Sequence, residues 1–167
     1  MPYLLDANVF IQAKNLHYGF DFCPAFWDWI DEANAHSRVF SINRVADELA
    51  GGADDLTIWA AARSPQLFLA PDATVLPSLR RVSQWATSGQ YEPAAVNTFL
   101  QVADFYLVAQ AHTGSHIVVT HEIASASTKR IKIPNACISL GVRCVTPYEM
   151  LRIERARFVL RPGDHAT

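Results

Sequence analysis

Five short apolar runs punctuate this chain, and the segments between them carry apolar residues at helical spacing. The clearest run is Ile117-Val118-Val119-Thr120, four β-branched residues followed at once by a polar loop from His121 to Lys132. Tyr3-Leu4-Leu5 reads as a short buried strand, and Arg38 to Ile42 alternates like a second. Leu67-Phe68-Leu69 and Arg143-Cys144-Val145 are the shortest candidates. Helical spacing starts after Asp6 with Val9, Phe10 and Ala13, and Pro24 opens an aromatic helix through Phe26, Trp27, Trp29, Ile30 and Ala33. Ser41 or Asn43 is expected to cap a helix through Val45, Glu48 and Leu49 that stops at Gly51-Gly52. Further helices are expected over 54–63, 76–87, 93–113 and 134–140, and from Pro147 onward. Strands alternating with helices predict an α/β layer fold with a short, mostly parallel sheet.

A chain of 167 residues suits one domain, placed here at 1–155 with a C-terminal tail over 156–167. Half of the residues are hydrophobic and 18% are charged, which excludes disorder as the state of the bulk. The N-terminus lacks the basic and apolar regions of a signal peptide, and no run of about 18 apolar residues occurs. A cytoplasmic protein without a membrane span is therefore expected. Cys23, Cys137 and Cys144 are scattered and odd in number, which argues for reduced thiols and against a paired zinc site.

The net charge of −2 is unevenly spread. Residues 1–128 hold 6 basic and 13 acidic side chains, whereas 129–161 hold 8 basic and 2 acidic ones. An acidic body with a basic C-terminal fifth suits a protein that grips a polyanion beside a carboxylate-lined site; a solvated arginine face is the competing explanation.

Four carboxylates stand out. Asp6 and Glu122 fall just past predicted strands, at the sheet edge where α/β proteins place functional groups. Glu48 shares a helix face with Val45 and Leu49, and Asp104 shares one with Leu100, Leu107, Val108 and Ala111. An acid on an apolar face is costly unless a cation meets it. Each also has an ordinary explanation: helix caps for Asp6 and Asp104, an exposed loop position for Glu122. Crowded together, the four would stay ionised only around divalent cations, and all-oxygen ligation favours Mg²⁺ or Mn²⁺, one or two ions. Asn8 either orients Asp6 or a bound water or caps the first helix, and Thr120 is placed to hydrogen-bond a neighbouring carboxylate or a metal-bound water.

The run Tyr3-Leu4-Leu5-Asp6-Ala7-Asn8-Val9-Phe10-Ile11 resembles the opening of PIN-domain nucleases. Val45-Ala46-Asp47-Glu48-Leu49, Ala103-Asp104-Phe105-Tyr106-Leu107-Val108-Ala109 and Val118-Val119-Thr120-His121-Glu122 follow in that family's order, so the resemblance spans nearly the whole chain. It is most similar to a PIN-like branch long described as a domain of unknown function and found beside helix-turn-helix regulators. The resemblance implies a three-layer α/β/α fold and a Mg²⁺- or Mn²⁺-dependent endoribonuclease. It also implies a toxin–antitoxin pair like the VapC toxins, with a helix-turn-helix antitoxin as partner. Asp6, Glu48 and Asp104 map onto the three core acids. Glu122 stands where the family usually has aspartate, and Asn135 is a second candidate for that corner. Metal-activated water would cut the RNA backbone in line, leaving 5′-phosphate and 3′-hydroxyl ends. Lys129, Arg130 and Lys132 would hold that backbone.

Competing functions are weaker or await an assay. A phosphatase with Asp6 as nucleophile needs a second acid where Asn8 stands, and no GxGxxG follows the first strand to bind a dinucleotide. A non-catalytic PIN-like module that binds RNA or protein is the alternative from another class. The aromatic residues Phe20, Phe22, Phe26, Trp27 and Trp29 offer either a homodimer or antitoxin surface or part of the core.

Overall fold

A computed structural model describes residues 1–160. Residues 161–167 of the expected tail, Arg161 and Asp164 among them, lie outside the described residues. All five apolar runs form strands: β1 (Tyr3–Leu5), β2 (Val39–Ile42), β3 (Phe68–Leu69), β4 (Ile117–Val119) and β5 (Cys144–Val145). They pair in the order β3-β2-β1-β4-β5, every pair parallel. Tyr3 stands opposite Val39 on one side and Ile117 on the other. Every residue of β1 and β4 is buried, because helices cover both faces of the sheet. The result is a three-layer α/β/α fold.

The described helices are α1 (Ala7–Gln12), α2 (Pro24–Ala35), α3 (Asn43–Ala50), α4 (Asp55–Ala61), α5 (Leu76–Ser88), α6 (Pro93–Gln101), α7 (Ala103–Gly114), α8 (Ile133–Leu140) and α9 (Pro147–Ile153). Proline stands in the first turn of five of them, where its missing N–H leaves no helical bond unmade. Thr146 and Glu149 form a reciprocal capping box on α9. Phe26 and Trp27 are core, with Phe20 stacked on Trp27 at 4.1 Å, while Phe22 is exposed. Phe158, in the segment read as tail, packs edge-on against Tyr18 and Phe26. Among the described residues no helix is long and apolar enough to cross a membrane.

Three local expectations fail. The stretch 93–113 is two helices, broken at Val102, whose backbone is extended (φ −101°, ψ 168°). Ser41 does not cap α3; its hydroxyl donates to the Leu5 carbonyl at 2.6 Å and ties β2 to β1. Asn43 is no cap either: it is the first residue of α3, Ile42 takes the cap position, and the Asn43 Oδ1 is buried without a partner.

The strand order has one functional consequence. The chain moves outward from β1 to β2 and β3, then returns to lay β4 on the other flank of β1. Where such a sheet reverses direction, the connections leaving its carboxyl edge part and open a crevice. That point lies between the ends of β1 and β4.

Candidate functional site

Asp6 directly follows β1, and its backbone N–H donates to the Val119 carbonyl at the end of β4 (3.0 Å). Thr120 directly follows β4 and is buried; its hydroxyl donates to Asp6 Oδ2 at 2.9 Å. The two strand ends are thus locked together by one main-chain and one side-chain bond. Asp6 occupies the cap position of α1 but its side chain makes no capping bond. It is only 3% exposed, and burial pushes its pKa up to about 6. The charges of Glu122 and Glu48 push the same way, against the Thr120 hydroxyl and the Ala7 N–H.

Asp104 is the second residue of α7 and reaches the crevice because the chain breaks at Val102. Its position in the first helical turn favours a negative charge. Burial nevertheless pushes its pKa up to about 7, reinforced by Asp6, Glu122 and Glu48 in that order and opposed by Arg130. Glu48, from the last turn of α3, is exposed and not on a buried face as expected. The apolar face of α3 runs out at the crevice mouth, and Glu48 Oε1 there accepts from the Ala103 N–H at 3.4 Å. A cavity of about 520 Å³ opens here; Asn8, Glu48, Asp104, Glu122, Lys129 and Arg130 line its polar side, and Asp6 lies behind that lining. Asn8 is exposed on the cavity wall, in the first turn of α1.

Glu122 is bound differently. Its backbone N–H donates to the Thr120 hydroxyl at 3.1 Å. Its side chain, 9% exposed, accepts from Lys132 Nζ (2.9 Å), Arg130 Nη2 (3.2 Å) and the Ile133 N–H (2.8 Å). Ile133 begins α8, so Glu122 also satisfies a free donor at that helix's start. The arginine and lysine expected to face RNA are therefore already tied to a carboxylate. Lys129 forms no ion pair among the described residues. Asn135 does not complete the acid cluster: its amide closes on the Ser125 backbone, accepting at 3.0 Å and donating at 2.9 Å.

Oxygen donors alone fit a hard cation, and the carboxylates of buried Asp6 and half-buried Asp104 would be relieved by one. Among the described residues, however, no three His, Cys, Asp or Glu side chains are arranged to hold an ion directly. This donor set suits an ion that keeps much of its water and takes one or two carboxylates, as Mg²⁺ does. It does not suit a cage of four acids.

A family model, described as a domain of unknown function (DUF4411), matches residues 3–158. The chain belongs to this family. No curated protein and no solved structure matches it. The DUF4411 match takes in all five strands, all four acids and Phe158.

Sequence reasoning missed two contributors to this edge of the sheet. His17 ends the π-helical turn Ala13–His17 that prolongs α1, and Tyr148 lies at the start of α9. Their rings meet His121, which follows Thr120. Burial, then His17, holds the His121 pKa below its usual value. π-Helical turns concentrate at functional sites, but five residues of that turn carry no sequence signature.

Proposed function

We propose that this DUF4411 chain is a PIN-like, Mg²⁺- or Mn²⁺-dependent endoribonuclease, and the toxin of a toxin–antitoxin pair. The observation that carries this reading is a pair of acids whose pKa values are both raised, Asp6 buried and Asp104 half-buried, where the parallel sheet reverses, with the exposed Glu48 lining the same cavity as Asp104. A structural salt bridge would supply each with a cation; Arg130 alone opposes the rise at Asp104 and is itself bound to Glu122.

In this reading Asp6 and Asp104 would hold the ion, with Glu48 and Asn8 lining the cavity beside Asp104. A divalent ion there would supply charge neutralisation at the scissile phosphate and a water of lowered pKa. Thr120 fixes the Asp6 carboxylate, so that its orientation does not depend on the ion. Lys129 and the exposed guanidinium of Arg130 stand on the cavity wall, where a phosphate backbone would lie. Glu122 holds Arg130, Lys132 and the start of α8 in place and acts as a positioning residue.

The test is cleavage of labelled single-stranded RNA by the purified chain with Mn²⁺ and with excess chelator. Chelator-sensitive cleavage that Asp6→Asn or Asp104→Asn abolishes supports the reading; full activity in either variant removes that acid from the mechanism. A second reading, a non-catalytic module that binds RNA or a partner protein, draws on the absence of a direct three-acid cluster among the described residues. RNA binding without chelator-sensitive cleavage favours it. The antitoxin rests on the sequence resemblance, and co-expression with a helix-turn-helix neighbour that silences the cleavage would support it.

A further inference from the structure

Three aromatic side chains from distant parts of the chain meet on the carboxyl edge of the sheet. His121 follows Thr120, the residue that holds Asp6. Its ring centroid lies 5.5 Å from that of His17 and 5.7 Å from that of Tyr148, and His17 lies 5.6 Å from Tyr148. The Tyr148 hydroxyl is 3.0 Å from His17 Nε2. None of the three rings is buried, and Tyr148 is 36% exposed. Beyond Tyr148 a cleft of about 230 Å³ runs between Tyr18 and Arg152. Arg152 makes no ion pair among the described residues, which leaves its guanidinium available to an anion.

Part-exposed rings flanked by an arginine that has no ion pair among the described residues offer what a single strand of nucleic acid requires: faces for its bases and charge for its phosphates. A duplex keeps its bases stacked and cannot offer them to such rings. We propose that His17, His121 and Tyr148 form a stacking shelf for the bases of single-stranded RNA leaving the carboxylate crevice, with Arg152 meeting the backbone beyond it. This rests on the ribonuclease reading and extends it, naming the substrate as unpaired RNA long enough to span crevice and shelf. A purely architectural cluster, fastening α9 to the turn after α1, needs neither the exposure nor the arginine.

The experiment measures equilibrium binding of a fluorescent oligouridylate of about twelve nucleotides to the full chain in chelator, so that no cleavage intervenes. Tyr148→Ala is expected to weaken binding about tenfold, the usual effect of losing one stacking platform, and Tyr148→Phe to bind like wild type. An abasic strand of the same length should bind wild type and Tyr148→Ala equally. Thermal unfolding of each variant separates lost stacking from lost folding, and the phenylalanine variant keeps the test open if alanine unfolds the chain. Equal binding of oligouridylate by wild type and Tyr148→Ala overturns the shelf, as does an equal loss on the abasic strand or no binding by wild type. Tyr148-dependent binding without Mn²⁺-stimulated cleavage keeps the shelf and sinks the hydrolysis, whereas cleavage indifferent to Tyr148 does the reverse.

Discussion

Asp6 and Glu122 follow neighbouring parallel strands and sit on the same crevice, yet the fold treats their charges in opposite ways. Glu122 accepts bonds from a lysine, an arginine and a helix-start N–H. Asp6, more deeply buried, has a threonine hydroxyl as its side-chain partner and two further acids in electrostatic range. Burial is thus not what separates these two acids. Compensation is: the charge of Glu122 is matched by two cations, and that of Asp6 meets none among the described residues.

The largest expected effect breaks the comparison on the uncompensated side. Asp6→Asn and Asp104→Asn should each lower Mn²⁺-dependent RNA cleavage by at least about a hundredfold, measured on a single-site substrate. Without metal the same substitutions should stabilise the chain. Asp6 loses its proton more easily unfolded than folded, its folded pKa standing near 6 against 3.8 in the open chain. The folded state therefore binds more protons between those values. Stability from this group is full below about pH 4 and declines as pH rises through the window to about 6. Urea unfolding should show wild type and Asp6→Asn alike near pH 4, with the variant ahead by roughly 2–3 kcal/mol at pH 7.

Divalent metal sharpens the same contrast. Saturating Mn²⁺ should raise the melting temperature of wild type and leave that of Asp104→Asn nearly unchanged, because an ion that binds only the folded state stabilises it. On the compensated side, Glu122→Gln should destabilise the chain by about 1–2 kcal/mol in chemical denaturation, since two cations and a helix start lose a charged acceptor. Its cleavage should fall far less than that of Asp6→Asn. The smallest effect belongs to Thr120→Val, about 1 kcal/mol of stability, with the Asp6 pKa moving further up when followed by NMR titration.

Much of the architecture was legible because strands buried on both faces must be continuously apolar, and Tyr3-Leu4-Leu5 and Ile117-Val118-Val119 are. Even Phe68–Leu69 and Cys144–Val145, two residues each, were visible between helical stretches. The break at Val102 was hidden because neither glycine nor proline marks it and apolar spacing runs straight through from α6 into α7. Periodicity put Glu48 on a buried face of α3 with Val45 and Leu49, whereas its side chain is exposed near the helix end. The place of Asp6 and the bond from Thr120 were readable from local placement, whereas Asp104 was read on one helix face with Leu100, which the break at Val102 puts in a different helix. The partners of Glu122 and Asn135 were not, since Lys132, Arg130 and Ser125 reach them through the path of a loop that no spacing encodes. His17 and Tyr148, 131 positions apart, meet only through the fold.

The extended residue at Val102 also decouples two rotations. Asp104 takes its direction from the phase of α7, which is fixed by packing against α5 and by the strand that follows, not from the phase of α6. One residue added before Val102 would slide α6 and leave the acid aimed as before. One residue added between Asp104 and Phe105 would turn the carboxylate by about 100° relative to the packed face of α7 and swing it off the crevice.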